Sequence, residues 1–146
     1  MKLSDEQYTP KSIFDALKIT FDLDVAAPLG GSPHVPTKQF YTIEDDGLAQ
    51  NWAGKVWLNP PYSMVTPWVD KFIENGNGIA LLVVSRSKWF AKLWDSSDVI
   101  VNTSYNLKFD RPNGMKPNSI SFQTFLFAMG NECSEALKNS GLGKAR

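Results

Sequence analysis

Ile79-Ala-Leu-Leu-Val-Val84 is an unbroken apolar run between Gly78 and Ser85. A half-exposed strand alternates apolar with polar residues, whereas a run without alternation is the pattern of a strand buried on both faces of a parallel sheet. Such a sheet needs covering helices, and the neighbouring segments supply them. Thr66-Pro67 opens a helical stretch carrying Trp68, Val69, Phe72 and Ile73, and Asn75-Gly-Asn-Gly78 stops it; residues 87–95 read as another helix. Val99-Ile-Val101 is a short strand, and Phe21 to Val25 alternates like one. Thr9-Pro10 ahead of Ile13, Phe14, Leu17 and Ile19 predicts a capped helix with proline at its first position. Thr42 to Leu48 resembles a capped helix start, Ala26 to Pro36 is too rich in Gly and Pro for regular structure, and residues 55–58 form a strand. Asn106–Phe109 and Phe122–Met129 are expected to pair antiparallel across the loop 110–119. Strands alternating with short helices predict a compact α/β domain of three layers, mostly parallel, with a C-terminal antiparallel strand pair. No repeat or low-complexity tract interrupts it.

At 146 residues the expectation is one domain, 1–146, with an ordinary core and no room for a second. A single cysteine, Cys133, and a single histidine, His34, rule out a disulfide framework and leave too few ligands for a zinc site, so no metal is expected. The first residues lack the apolar run of a signal peptide, and no segment reaches the ~20 apolar residues of a membrane span. A soluble intracellular protein is expected, without a membrane partner. The zero net charge hides an asymmetry: residues 1–54 hold 4 Lys+Arg against 8 Asp+Glu, and residues 55–146 hold 11 against 7. Arg86, Lys88, Lys92, Lys108, Arg111 and Lys116 group in that basic half, where a polyanion would sit.

The strand 55–58 runs into Asn59-Pro60-Pro61-Tyr62. Two consecutive prolines donate nothing to a sheet ladder and push Asn59 out of the helical region, so the chain leaves the sheet there in a rigid extended turn. A carboxamide oxygen, a fixed proline carbonyl and an aromatic ring are the parts needed to grip a planar group bearing an exocyclic amine. In an open α/β sheet the ligand lies beyond the carboxyl ends of the strands, so Asp24 and Asn59 are expected to face one crevice. The small Ala26 and Ala27 after Asp24 would let a cofactor approach the backbone. Asp45 and Asp46 either accept from an adenine amine or complement a helix N-terminus.

In order, Tyr8-Thr9-Pro10, Asp22-Leu-Asp24-Val-Ala-Ala27, Tyr41-Thr-Ile-Glu-Asp45-Asp46-Gly-Leu48 with Trp52, and Val56-Trp-Leu-Asn59-Pro-Pro-Tyr62-Ser resemble the phage and prophage family of DNA adenine-N6 methyltransferases. The resemblance continues more loosely through Ile79–Ser85, Leu107–Phe109 and Ser121–Phe127. It implies a Rossmann-like fold using S-adenosylmethionine, DNA as substrate, single- or double-stranded, and the cytoplasm of a bacterial host. It also implies that Tyr8, Thr9 and Pro10 border the methionine part of the cofactor, with Asp24, Ala26, Ala27 and Leu48 nearby. Asp45 or Asp46 would receive the cofactor's adenine amine, and Asn59, Pro60, Pro61 and Tyr62 would take the target base.

An adenine amine is a poor nucleophile because its lone pair is delocalised. Two fixed acceptors, the Asn59 oxygen and the Pro60 carbonyl, would let the nitrogen turn pyramidal and stabilise its growing positive charge. Tyr62 would stack on a base flipped out of a duplex or already single-stranded. The same parts suit an RNA base or a protein glutamine amide. Asp24-Val-Ala-Ala-Pro stands where many methyltransferases carry Phe-x-Gly-x-Gly, which leaves open a non-catalytic DNA-binding or decoy protein on the same fold. Without a separate target-recognition domain, relaxed sequence specificity is expected.

Overall fold

The computed structural model describes residues 9–103, 123–143 and 145, and the backbone alone at 108–109 and 118–119. Its element order is α1 (Lys11–Leu17), β1 (Phe21–Asp24), β2 (Thr37–Phe40), a 3₁₀ turn (Gly47–Ala49), β3 (Val56–Leu58), α2 (Thr66–Asn75), β4 (Gly78–Val83), α3 (Lys88–Ser96), β5 (Val99–Asn102), β6 (Lys108–Phe109), β7 (Asn118–Ser119), β8 (Thr124–Met129) and α4 (Asn131–Lys138). Six strands form one sheet in the order β2-β1-β3-β4-β8-β5. Neighbours from β2 to β4 are parallel, while β8 runs antiparallel between β4 and β5.

The apolar run takes the place its pattern demands as far as Leu82; Val83 is half-buried, and Val84 lies beyond the strand and is 45% exposed. Ile79 to Leu82 have no exposed surface, and the register pairs Ile79 with Trp57 on one side and Ala128 on the other. Alternate residues feed two cores. Ile79 and Leu81 join Ile13, Phe14, Leu17, Trp57, Cys133 and Leu137 beneath α1 and α4, whereas Ala80 and Leu82 join Leu58, Trp68, Val69, Phe72 and Leu93 beneath α2 and α3. Helices on both faces of a mostly parallel sheet make the expected three layers. Each fully buried Leu, Ile or Phe contributes roughly 1.5–3 kcal/mol, so this double-sided burial outweighs the weak local propensity of such short elements.

Several local expectations are corrected. Residues 124–129 enter the main sheet between β4 and β5, and Lys108–Phe109 pairs instead with Asn118–Ser119 in a separate ribbon, the expected Asn106, Leu107 and Phe122 lying outside the described residues. Thr124 to Ala128 are all buried, which a central position between two strands requires. The segment after the Gly/Pro-rich stretch holds a strand the sequence pattern hides, because Thr37–Phe40 lies at the sheet edge with three of four residues exposed. Thr42 to Leu48 makes turns and a single 3₁₀ turn rather than a helix. Thr9 does not cap α1; Pro10 is its N-cap position without a side-chain bond, and Ile19 lies beyond the helix end. Among the described residues no helix is long and apolar enough to cross a membrane.

Candidate active site

The carboxyl ends of β1 and β3 open into one region. Asp24 closes β1 and Leu58 closes β3, after which Pro60 and Pro61 are buried and Asn59 is half-buried. Met64 N–H donates to the Pro61 carbonyl (3.1 Å), a turn that fixes the second proline. The Pro60 carbonyl accepts no hydrogen bond among the described residues and so keeps its acceptor capacity. Asn59 Nδ2 donates to the Thr9 hydroxyl at 3.2 Å. The Tyr62 hydroxyl is buried without a partner among the described residues, and burial pushes its pKa far above the ordinary phenol value.

Asp24 is 1 % exposed, and burial pushes its pKa up to about 6 against the opposing hydrogen bonds of Ser32 and Ala26. The Ser32 hydroxyl donates at 2.7 Å and Ala26 N–H reaches the other oxygen at 3.4 Å. Among the described residues no cation pairs with this carboxylate. Two backbone bonds of 2.8 Å, Tyr41 N–H to Asp24 and Ala27 N–H to Tyr41, lock the ends of β1 and β2 together.

Between these ends lies a cleft of about 610 Å³, counting its open mouth, lined by Val25, Ala26, Ala27, Thr42, Ile43, Asp46, Gly47, Leu48, Pro61, Ser63, Met64 and Trp68. Volumes of a few hundred Å³ with mostly apolar walls and few polar groups are typical of small-molecule sites. Of the segments the sequence nominated, the structure brings Ala26, Ala27, Asp46 and Leu48 to the same cleft as Pro61. Asp45 does not line it, because its carboxylate accepts from Thr42 N–H at 2.8 Å and holds the 42–45 turn. Asp46 adopts a left-handed backbone, φ 53°, which Asp tolerates better than most residues. Pro10, the N-cap position of α1, follows Thr9. Tyr8, Arg111 and Lys116, and the side chain of Lys108, lie outside the described residues.

Sequence reasoning missed part of this wall. Trp68 reads as a helix core residue and is 7 % exposed, yet it also lines the cleft. Gly47 is required because a Cβ there would strike the Val25 carbonyl and the Trp68 ring. The Asp-Asp-Gly-Leu spacing was the available signal. Lys71 reinforces the region from behind, donating to the Leu48 carbonyl at 2.8 Å and lying 5.3 Å from the Trp52 ring centre.

Arg86 and Lys88 are exposed where β4 gives way to α3, on the same carboxyl edge. Lys92 is exposed but paired with Asp70 at 3.0 Å, so part of its charge is already met. Phe90 packs edge-on against Phe125 and Phe127 at 5.8 and 5.7 Å, so that ring secures α3 to the sheet. No cluster of metal-ligating side chains occurs among the described residues.

The family of DNA N-6-adenine-methyltransferases (Dam) matches residues 1–132, and the chain belongs to it. A curated relative, the DNA N-6-adenine-methyltransferase of Haemophilus phage HP1 (strain HP1c1), is 37% identical over 79 residues, which cover 49% of this chain and 44% of that protein. The chain thus spans less than half the length of that relative. No solved structure matches it.

Proposed function

We propose that this chain transfers a methyl group from S-adenosylmethionine to the exocyclic N6 of adenine in DNA, on a Rossmann-like methyltransferase fold. The observation that carries the reading is that one cleft is walled both by the segments after β1 and β2 and by Pro61 of Asn59-Pro60-Pro61-Tyr62. Its apolar walls suit a nucleoside ring, with Asp46 and Thr42 as polar contacts. The buried carboxylate of Asp24, lacking a cation among the described residues, suits the positive end of the same molecule. When bound, S-adenosylmethionine supplies an electrophilic methyl group on a sulfonium.

The chain's own residues then orient the amine. Asn59 Oδ1 and the Pro60 carbonyl each accept one N–H, the nitrogen becomes pyramidal, and its lone pair is aimed along the transfer direction. The two acceptors gain strength as the nitrogen gains positive charge, so they stabilise the transition state more than the ground state. No acid or base is needed until the product amine releases its extra proton. Tyr62 forms one wall of the base site. Arg86, Lys88 and Lys92, with Lys108, Arg111 and Lys116, contact phosphates; such contacts give affinity without sequence information, which supports relaxed specificity and binding that weakens as salt rises.

DNA incubated with the protein and S-adenosylmethionine, digested and measured by mass, should contain N6-methyldeoxyadenosine. Methylated RNA or glutamine beside unmodified DNA would transfer the reading to another amine. Absence of cofactor binding by calorimetry at millimolar concentration would favour a non-catalytic protein.

A further inference from the structure

We infer that Thr9 is a positioning residue whose hydroxyl sets the direction of the Asn59 carboxamide. The inference rests on the proposed role of Asn59 and goes beyond it, because the resemblance assigns Thr9 to the cofactor.

Thr9 is 5 % exposed, and a buried hydroxyl is costly unless it is hydrogen-bonded. It meets Asn59 Nδ2 at 3.2 Å across 50 residues of sequence. The terminal torsion of asparagine is broad, so an unrestrained amide samples many directions. In a planar amide the nitrogen and oxygen occupy opposite edges; holding Nδ2 on Thr9 therefore also fixes where Oδ1 points.

The anchor itself is rigid for reasons unconnected with any ligand. Ile13, Phe14 and Leu17 of α1 are buried, and Phe14 packs edge-on against Trp57 at 4.8 Å. Trp57 lies two residues before Asn59, so one helix–strand contact sets both ends of the hydrogen bond. Ile13 N–H to the Pro10 carbonyl, 3.2 Å, ties Thr9's neighbour into that helix.

Thr9→Val keeps the shape and removes the hydroxyl. We expect kcat on DNA to fall about tenfold, the rate equivalent of one ordinary hydrogen bond, with cofactor KM and melting temperature nearly unchanged. Thr9→Ser should restore most of the rate, and Thr9→Val should cost nothing further in an Asn59→Ala background. An unchanged kcat, or a loss that saturating cofactor repairs, would overturn the inference; so would an equal further loss without Asn59. A readout independent of turnover is the ¹⁵N-labelled Asn59 side-chain NH₂, whose proton exchange should quicken in Thr9→Val. Unchanged exchange would reject the positioning role even in a protein that methylates nothing, whereas faster exchange without methylation would leave the hydrogen bond intact as a finding and reject the proposed function.

Discussion

Asp22 and Asp24 stand two residues apart on β1, and their carboxyl groups are shifted in opposite directions. Asp22, towards the amino end, accepts Lys55 N–H at 2.8 Å and pairs with Lys38 at 3.3 Å; these hold its pKa below the usual value. Asp24, at the carboxyl end, is buried without a cation among the described residues and is pushed up to about 6. Their surroundings repeat the contrast. At the amino edge Lys55 also meets Glu132 at 2.7 Å, and Gly130 N–H meets Asp98 at 2.9 Å. At the carboxyl edge the Tyr62 hydroxyl has no partner among the described residues, and Ile43 and Met64 are 53% and 52% exposed at the cleft. The amino edge is tied by these charged pairs, with the buried Ser134 hydroxyl unpartnered among the described residues, whereas at the carboxyl edge both the Tyr62 hydroxyl and the Trp68 indole N–H lack a partner among them. Local violations of that kind concentrate at functional sites.

The largest test of this contrast is Asn59→Ala. Turnover should fall at least ~100-fold, as when a transition-state acceptor is lost, while thermal melting shifts little; near-normal turnover would remove Asn59 from the site. Next is Gly47→Ala. Its added Cβ meets a backbone carbonyl, so the 3₁₀ turn must shift into the cleft; cofactor affinity measured by calorimetry should drop about tenfold or more, since overpacking costs roughly 1–3 kcal/mol.

Asp24→Asn should separate stability from binding. A carboxyl whose folded pKa is raised holds its proton longer in the folded state, so its contribution to stability declines as pH rises from about 4 to about 6 and stays low above that. The asparagine variant should therefore melt higher than the wild type at pH 8, by on the order of 2–3 kcal/mol at most, and the gap should close towards pH 4. The same substitution should weaken cofactor binding. A variant less stable at pH 8 would mean the carboxylate has a cationic partner in the folded protein. At the opposite edge Glu132→Gln should do least: Glu132's side chain is 64% exposed, and such pairs are worth about 0–1 kcal/mol. Melting should move by a degree or two with unchanged kcat, and a large activity loss there would break the comparison.

Much of this was legible in order along the chain. The run Ile79–Val84 specified a strand covered on both faces as far as Leu82, because burial on two faces leaves no polar position, but its last residue is exposed. The prolines after Leu58 specified where β3 ends because neither can donate to a ladder. The helix from Thr66 followed from its apolar pattern and the Asn75–Gly78 stop, and the stretch read as helical at 87–95 forms Lys88–Ser96. Tertiary structure decided what depends on distant partners. Thr124–Met129 reads as a strand in isolation, but only pairing energetics with β4 and β5 place it between them. Thr37–Phe40 has no pattern of its own because an edge strand borrows its order from β1. Asp45 and Asp46 are indistinguishable as neighbouring letters; the turn turns one inward upon Thr42 and leaves the other at the cleft. The contact from Thr9 to Asn59 crosses 50 positions, and no local preference encodes it. Periodicity and stereochemistry act over a few residues, whereas a site is made by side chains whose separation in sequence is removed only when the sheet and its covering helices have packed.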